Sequence, residues 1–371
     1  MNKDIIKLVK SKSYYDDLYD IPWLLQEGKP LLKKTKLRIG LINVPCGGFG
    51  DIIVCQTLYE YLRSWYPQHQ IIICTTAIEK FKKLGIRTSS FIEILSKGGN
   101  ECEPYNLLYF KKQPDKFDII ICIPIINYQF NINQFKYLIP YANLFNTFTM
   151  SEYNGYVPPY TFPIGVGEGQ LGIFLTKPVI KPHNLIKKPY ALVYIAESPP
   201  LIHSRLCFIS YMEMISKKYS KIHPFFQVIV PPWIIDELSE SNNFKYKLKK
   251  AIINYYPNVL MTSNNVELHF FEKPGNSLII RGDILPKPRP IFISLMNDSV
   301  EDVLLTGDQS LTDGLSCCSK HKKIWYQIAP WKQDLAIELG KIIPSKYIDN
   351  FKTSCGTLRG LRSSMDYSTL L

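Results

Sequence analysis

The chain has 371 residues, 46% of them hydrophobic, and a formal net charge of +12. This hydrophobic content excludes a disordered protein, and the length suffices for two domains with separate cores. The sequence contains no uninterrupted apolar run of about 18 residues or more, so we expect no membrane-spanning helix. No signal-peptide hydrophobic region follows Met1–Asp4, and we expect none to operate.

The cysteine and histidine residues exclude two further classes of protein. Nine cysteines are scattered without a CxxC pair, and the six histidines stand alone. This spacing argues against a disulfide framework and against a zinc site. We therefore expect reduced, buried thiols, a cytoplasmic protein, no bound metal and no cofactor.

The positive charge has three competing explanations: an anionic substrate such as a nucleotide sugar, attraction to nucleic acid or an anionic membrane, or compositional drift. The lysines are spread along the chain as pairs at 33–34, 111–112, 187–188, 249–250 and 322–323. A nucleic-acid groove more often has one concentrated basic stretch with interleaved aromatic residues. We favour drift combined with an anionic substrate, predict no nucleic-acid partner and leave peripheral membrane contact open.

The first regular pattern follows a polar and aromatic leader at residues 1–36. Leu37–Val44 predicts a strand, Cys46–Gly50 a glycine loop, Asp51–Tyr66 a helix with one apolar face, and Gln70–Cys74 a second strand. This order is a βαβ unit, which implies parallel strands joined by a right-handed crossover.

The rest of the chain repeats this architecture. A first lobe spans 37–177, a linker 178–188, a second lobe 189–350 and a tail 351–371. The other strands predicted for the first lobe are Ile92–Leu95, Leu107–Phe110 and Asp118–Ile123. Those of the second lobe are Tyr190–Ala196, Phe226–Val230, Val266–Phe271, Ser277–Ile280, Val303–Thr306 and Lys323–Gln327, with helices at Phe208–Tyr219, Leu311–Cys317 and Gln333–Ile343. The fold class is therefore α/β, with two Rossmann-like lobes and a central cleft at the carboxyl ends of both sheets.

The first candidate site is the glycine loop before the first helix. Gly48, Phe49 and Gly50 allow close approach of a ligand, and Asp51 is expected at the helix N-terminus. No Gly-Lys-Ser/Thr follows, and GxGxxG is not matched, so neither a Walker A loop nor a dinucleotide fingerprint is predicted. An aspartate suits general-base work on an acceptor, and a simple N-cap is the alternative.

The second candidate site is the turn Gly307-Asp308-Gln309-Ser310 between a strand and a helix. Backbone amides at such a helix start can bind a diphosphate, with help from the helix dipole and Ser310. An ordinary capped turn is the alternative. Tyr326, Gln327 and Trp331 follow the next strand, and the two aromatic rings would flank a nucleobase or acceptor unless they are core residues.

Two weaker candidates complete the set. Arg205, in a predicted loop at Glu197–Arg205, would pair with phosphate oxygens through its guanidinium fork, or else be exposed and unpaired. The glycine-dense stretch at 165–172 would serve as a hinge, approach a sugar closely, or be a plain flexible loop.

At these residues the sequence resembles two families of GT-B glycosyltransferases. The Gly50-Asp51 pair, with a helix closing in Leu-Arg-Ser-Trp-Tyr-Pro at 62–67, is similar to the start of lipopolysaccharide heptosyltransferases. The stretch at 50–55 resembles the Gly-Asp-Ile-Gly-Val-Cys of bacterial elongation-factor arginine rhamnosyltransferases. Their Gly-Glu-Asp-Ser turn resembles residues 307–310, and their Trp-x-Ile-x-Pro strand resembles residues 325–330, which have one residue more between Trp and Ile.

The resemblance implies roles for residues of both lobes. It implies an acceptor lobe at 37–177 with Asp51 as catalytic base, and a nucleotide-sugar lobe at 189–350 with Asp308 near the donor. Gln309 and Ser310 would contact the diphosphate. The predicted donor-binding set is Gly48, Phe49, Gly50, Arg205, Gly307, Asp308, Gln309, Ser310, Tyr326 and Gln327.

This sequence also departs from both families. Gly47 stands where the rhamnosyltransferases have a further aspartate, Asp308 and Gln309 replace Glu and Asp, and the heptosyltransferase Gly-Pro-Met-His continuation is absent after Ser310. The expected function is inverting, metal-independent sugar transfer from a nucleotide-diphosphate sugar to a glycan, lipid-linked or protein acceptor. The alternatives are a nucleotide-sugar epimerase-like enzyme and a non-catalytic glycan- or partner-binding pseudo-transferase.

Overall fold

The computed structural model divides the chain into two units, one within Val9–Phe174 and the other formed mainly by Leu175–Leu371. Each unit contains its own seven-stranded sheet. The residues that the structure describes are 36–45, 49–65, 67–86, 91–98, 106–125, 132–151, 161–165, 185–197, 201–263, 266–317 and 322–327. The leader up to residue 35, the linker up to 184, the predicted helix Gln333–Ile343 and the tail lie outside the described residues.

The first unit contains a mostly parallel sheet in the order β4-β3-β2-β1-β5-β6-β7. Only β3 and β4 pair in the antiparallel direction. The strands are β1 Arg38–Asn43, β2 Gln70–Thr75, β3 Phe91–Lys97, β4 Leu107–Phe110, β5 Phe117–Ile125, β6 Ala142–Ser151 and β7 Thr161–Gly165; the helices are α1 Gly50–Trp65 and α2 Ile78–Lys83, with 3-10 turns at Ile132–Phe135 and Ile139–Tyr141. The predicted β1–α1–β2 unit and the strand positions around β3 to β5 are confirmed.

Both faces of this sheet are buried. Side chains of successive strand residues point to opposite faces, and in β2 they enter two separate cores. Ile71 and Ile73 belong to one core, together with the α1 residues Ile52 and Leu58. Ile72 and Cys74 belong to the other. A strand that is buried on both faces carries a continuous apolar run, as the sequence of β2 does.

The second unit has the sheet order β11-β10-β12-β9-β8-β13-β14. All neighbouring strands are parallel except β10 and β11. The strands are β8 Tyr190–Val193, β9 Phe225–Ile229, β10 Asn258–Ser263, β11 Val266–Phe271, β12 Ser277–Arg281, β13 Asp302–Leu305 and β14 Lys323–Tyr326; the helices are α3 Leu201–Tyr219, α4 Pro232–Glu240, α5 Asn242–Ile252, α6 Arg289–Asp298 and α7 Asp308–Cys317. Each unit is therefore a doubly wound, Rossmann-like α/β lobe, as the sequence predicts.

Each sheet contains a point where the strand order reverses. The chain moves from β1 to β2 in one direction and from β5 to β6 in the other; β8 to β9 and β13 to β14 repeat this arrangement. The reversal leaves β1 beside β5 and β8 beside β13. Ligands of open α/β sheets bind outside the carboxyl ends of the strands at these switch points. The candidate sites are therefore the segments that follow β1 and β13.

The cysteines of the described residues are free, and four of them are buried: Cys55, Cys74, Cys122 and Cys207. Burial raises the pKa of each of these four thiols, because the thiolate loses its hydration. They therefore pack as small apolar residues. Among the described residues, no helix combines the length and apolar character needed to cross a membrane.

A buried carboxylate fixes the amino end of β13. Asp302 accepts hydrogen bonds from Lys218 Nζ at 2.6 Å, Tyr219 Oη at 2.5 Å and Trp325 Nε1 at 2.8 Å. Its main-chain oxygen accepts a further one from Tyr211 Oη at 2.8 Å. These bonds connect α3, β13 and β14 at the edge of the sheet opposite the switch point, so the charge serves the fold.

Replacing Asp302 with Ala should destabilise the second lobe by about 2 to 4 kcal/mol, because Tyr219 Oη and Trp325 Nε1 would lose their acceptor, while Lys218 keeps its contact with Glu301. Urea unfolding followed by far-ultraviolet circular dichroism measures this change. The control is Glu301→Gln, which changes a half-exposed partner of the same lysine and should cost at most about 1 kcal/mol. Equal effects of the two substitutions would show that burial of Asp302 does not govern its contribution.

Candidate functional site

The first switch point brings Asp51 to the start of α1. The peptide N–H of Ile53 donates to Phe49 O at 3.0 Å and closes the first helical turn. The fully buried Asn43, which ends β1, donates through Nδ2 to Asp51 O at 3.0 Å and to Ile123 O at 2.9 Å. One carboxamide thus joins β1, β5 and the helix start, and it holds the backbone of Asp51 at the carboxyl edge of the sheet.

The predicted glycine loop is described in part. Gly48 lies outside the described residues. Gly50 is already the first residue of α1, and a Cβ atom there would meet nothing within 4 Å. Its backbone therefore does not require glycine, contrary to the expected sharp turn at this position; the missing side chain leaves the helix start uncovered. Phe49 packs partly buried against the core of the first lobe.

The second switch point brings a left-handed glycine to the end of β13. Gly307 has φ 78°, and its Cβ position is open to 4 Å. The N–H of Leu311 donates to Gly307 O at 3.2 Å and closes the first turn of α7. The N–H groups of residues 308–310 have no carbonyl partner within the helix, as in any helical first turn. Together with the helix dipole, these amides form an arrangement suited to an anion.

The side chains beside these amides act within the helix. Ser310 Oγ donates to Thr306 O and, at 3.2 Å, to Gly307 O. Gln309 Nε2 donates to Asp313 Oδ1 at 2.8 Å. Both residues are buried and bonded within the helix, whereas the first-turn main-chain amides have no partner inside it. Asp308 occupies the first helical position, where its backbone belongs to the same turn.

An arginine of the neighbouring helix forms an ion pair with α7, which the sequence pattern did not predict. Arg289, the first residue of α6, contacts the buried Asp313 through Nη2 at 2.8 Å and Nε at 3.2 Å. The two-point contact fixes the start of α6 against α7. The sequence contained one indication of this contact. Gln309 and Asp313 are four residues apart, so a donor and a carboxylate acceptor share one face of α7.

Gln327 fastens the loop after β8 to the end of β14. Its Oε1 accepts from Ala196 N at 2.8 Å, and its Nε2 donates to Ser204 Oγ at 3.0 Å. Ser204 Oγ in turn donates to Ala196 O at 2.8 Å, and Trp233 Nε1 donates to Ile195 O at 3.3 Å. In the strand order β8-β13-β14, this carboxamide reaches across the end of β13. Three elements therefore fix the loop at the switch point.

Two other members of the predicted donor set have specific structural partners. Arg205 lies in the second turn of α3, so the predicted loop at Glu197–Arg205 is wrong from residue 201 onward; a helix starts there directly after Pro199-Pro200. Its Nε contacts Glu237 Oε2 at 2.7 Å, so it is not the unpaired arginine offered as the alternative. Tyr326 is fully buried, which places its ring in the core.

A third arginine–carboxylate pair lies at the end of β12. Arg281 contacts Asp283 through Nε at 2.9 Å and Nη2 at 2.6 Å, while its Nη1 donates to Gln227 at 3.2 Å. The hydrogen bond from Arg281 lowers the pKa of Asp283, which keeps the carboxylate ionised.

Among the described residues, no group of three or more His, Cys, Asp or Glu side chains is placed to hold a metal ion. Of the glycine-dense stretch, only Gly165 is described, as the last residue of β7; Trp331 is outside the described residues.

No protein-family model and no curated protein sequence matches this chain. Among solved structures, the fold is similar to a glycosyltransferase from Rickettsia africae ESF-5, with 12% identity, coverage of 91% of this chain and 99% of that chain, and a TM-score of 0.38. E. coli heptosyltransferase WaaC with ADP gives 10% identity, 85% and 97% coverage and a TM-score of 0.36. A putative UDP-N-acetylglucosamine 2-epimerase from Listeria monocytogenes is 9% identical, with coverage of 90% of this chain and 94% of that chain and a TM-score of 0.37. Scores of this size assign no activity.

Replacing Gln327 with Ala should loosen the loop after β8, because the N–H of Ala196 loses its acceptor. We expect a loss of about 1 to 3 kcal/mol in the free energy of unfolding and faster amide exchange at 194–197 in hydrogen–deuterium exchange. As a control, Gln56→Ala removes an exposed i, i+4 contact to Glu60 and should change stability by less than about 0.5 kcal/mol. Unchanged exchange at 194–197 in the Gln327 variant would refute the role of this contact.

Proposed function

We propose that the protein is a glycosyltransferase, which moves a sugar from a nucleotide-diphosphate sugar to an acceptor with inversion and without a metal ion. The observation that carries the proposal is the start of α7. There, a left-handed glycine and three main-chain N–H groups without helical partners stand at the switch point between β8 and β13. A diphosphate is the ligand chemistry that such a turn suits best.

The donor is proposed to bind the second lobe. The amides of residues 308–310 would accept the diphosphate, and Gly307 allows its oxygens to approach the backbone closely. When the glycosidic bond to the diphosphate breaks, negative charge grows on the leaving oxygen, where fixed amide dipoles already point. This preorganised stabilisation needs no metal. Ser310, Gln309 and Gln327 would act by holding the turn and the neighbouring loop in place, since their side chains are bonded to the protein.

The acceptor is proposed to bind the first lobe, with Asp51 as base. The acceptor oxygen would form a bond to the anomeric carbon while the bond from that carbon to the diphosphate breaks. Its proton would pass to the carboxylate of Asp51, and this single displacement inverts the anomeric configuration. Asp51 lies in the first turn of α1, where the hydrogen bond from Asn43 holds its backbone at the carboxyl edge of the sheet.

The Asp51→Asn variant should lose sugar transfer by about a hundredfold or more, because the amide cannot take the acceptor proton. Its affinity for the donor should stay within about twofold, since the diphosphate is assigned to α7. Single-turnover transfer assays with a panel of nucleotide sugars, combined with calorimetric titration, separate the two quantities. Loss of donor affinity equal to the loss of rate would contradict the role of Asp51. Conversion of the donor without transfer would identify an epimerase, and no turnover in the wild type would identify a binding protein.

The Gly307→Ala variant should bind nucleoside diphosphates at least about tenfold more weakly, because a Cβ atom would occupy the space in front of the amides and strain the left-handed turn. Gly85→Ala is a matched control, since Gly85 has φ 72° and an equally open Cβ position in the first lobe. Both substitutions should lower stability by about 1 kcal/mol. Equal nucleotide affinity of the two variants, measured by calorimetry, would exclude the turn as the diphosphate site.

A further inference from the structure

The helix α5 carries positive charge and no negative charge. Its buried residues are Phe244, Leu248 and Ile252, at the i, i+4, i+8 spacing of one helix face. The remaining surface has no acidic side chain; its lysines are Lys245, Lys247, Lys249 and Lys250. Tyr246 lies among them with 66% of its surface exposed. The helix therefore presents cations and an aromatic ring to the surroundings.

The edge strand β11 adds exposed aliphatic side chains. Val266 is 56% and Leu268 is 44% exposed, and no strand of the described residues lies beyond β11. Leu268 pairs with Met261, Phe271 pairs with Val259, and a register shift between these pairs makes room for both Phe270 and Phe271. Residues opposite Met261 and Val259 share one face of the sheet. The exposed aliphatic residues thus continue a row that ends in buried aromatic rings.

Cation–π contacts join the two elements. Lys245 Nζ lies 5.6 Å from the centre of the Phe270 ring, and Lys249 Nζ lies 5.4 Å from that of Phe271. These contacts hold the ammonium groups beside the aliphatic row of β11 instead of leaving them to move freely. Lys245 and Lys249 therefore adjoin the aliphatic row of β11, and the exposed residues Tyr246 and Lys250 follow on the outer side of α5. We call these four residues, together with Val266 and Leu268, the α5–β11 surface.

We propose that the α5–β11 surface binds the anionic face of a phospholipid bilayer. Aliphatic side chains that project singly, with lysines beside them, match the boundary between acyl chains and acidic headgroups. The three lysines of this surface outnumber the two carboxylates of the strand region, Glu267 and Glu272. A second copy of the chain would bring lysines against lysines, which disfavours self-association through this surface. The proposal is independent of the proposed sugar transfer.

Flotation of the full-length protein with vesicles tests the proposal. We expect binding to vesicles of phosphatidylcholine and phosphatidylglycerol, none to phosphatidylcholine alone, and weakening as salt rises. The Lys249→Glu/Lys250→Glu variant should bind at least about tenfold more weakly, because both substitutions replace attraction to the acidic headgroups with repulsion. Leu268→Ser should also weaken binding, although its own charge is unchanged.

The control variant is Lys112→Glu/Lys116→Glu, which makes the same change of net charge at exposed positions of the first lobe and should bind as the wild type does. Thermal melts check that each variant folds. Equal weakening by both double variants would show that net charge alone is responsible and would overturn the proposal. Binding to neutral vesicles, no vesicle binding by the wild type, or dimer formation abolished by Leu268→Ser would also overturn it.

Discussion

The parallel pairing of the strands is the constraint from which both candidate sites arise. Each strand ends at the carboxyl edge of its sheet, so the helix that leads to a parallel neighbour starts at that edge. Where the winding reverses, β1 lies beside β5 and β8 beside β13. In the first lobe, α1 packs in one core, and the 3-10 turn at Ile132–Phe135 packs in the other. The starts of α1 and α7 are thereby left at the two switch points.

The polar side chains near the second switch point mostly fix the protein's own backbone. Gln327 holds Ala196, Gln309 reaches Asp313, and Ser310 donates to the carbonyl of Thr306. These contacts order the turn before a ligand binds, so binding does not lose conformational entropy at these groups. The first-turn amides of α7 are main-chain dipoles, and fixed dipoles stabilise a developing charge without reorganising.

The sequence predicted features that depend on neighbouring residues, but it did not predict contacts between residues far apart in the chain. The apolar spacing of residues 52–62 and the pattern of β2 predicted the first βαβ unit correctly, since both depend on neighbours in the chain. The contact between Arg205 and Glu237 depends on how α3 packs beside α4, and no periodicity records it. The helices α4 to α6 and the strand β10 were also missed, although α5 has apolar residues at i, i+4 and i+8. The positive φ of Gly307 was foreseeable in kind, because glycine between a strand and a helix favours it.

Hydrogen–deuterium exchange with and without a nucleoside diphosphate tests the central claim directly. Uridine, adenosine and guanosine diphosphates cover the common donors, and a ligand at 100 times its dissociation constant stabilises its site by about 2.7 kcal/mol. We expect a nucleotide that binds to slow exchange at residues 307–311. Exchange in β11 of the same lobe should stay unchanged and serves as the internal reference. Binding that leaves 307–311 unchanged and protects another segment would contradict the claim.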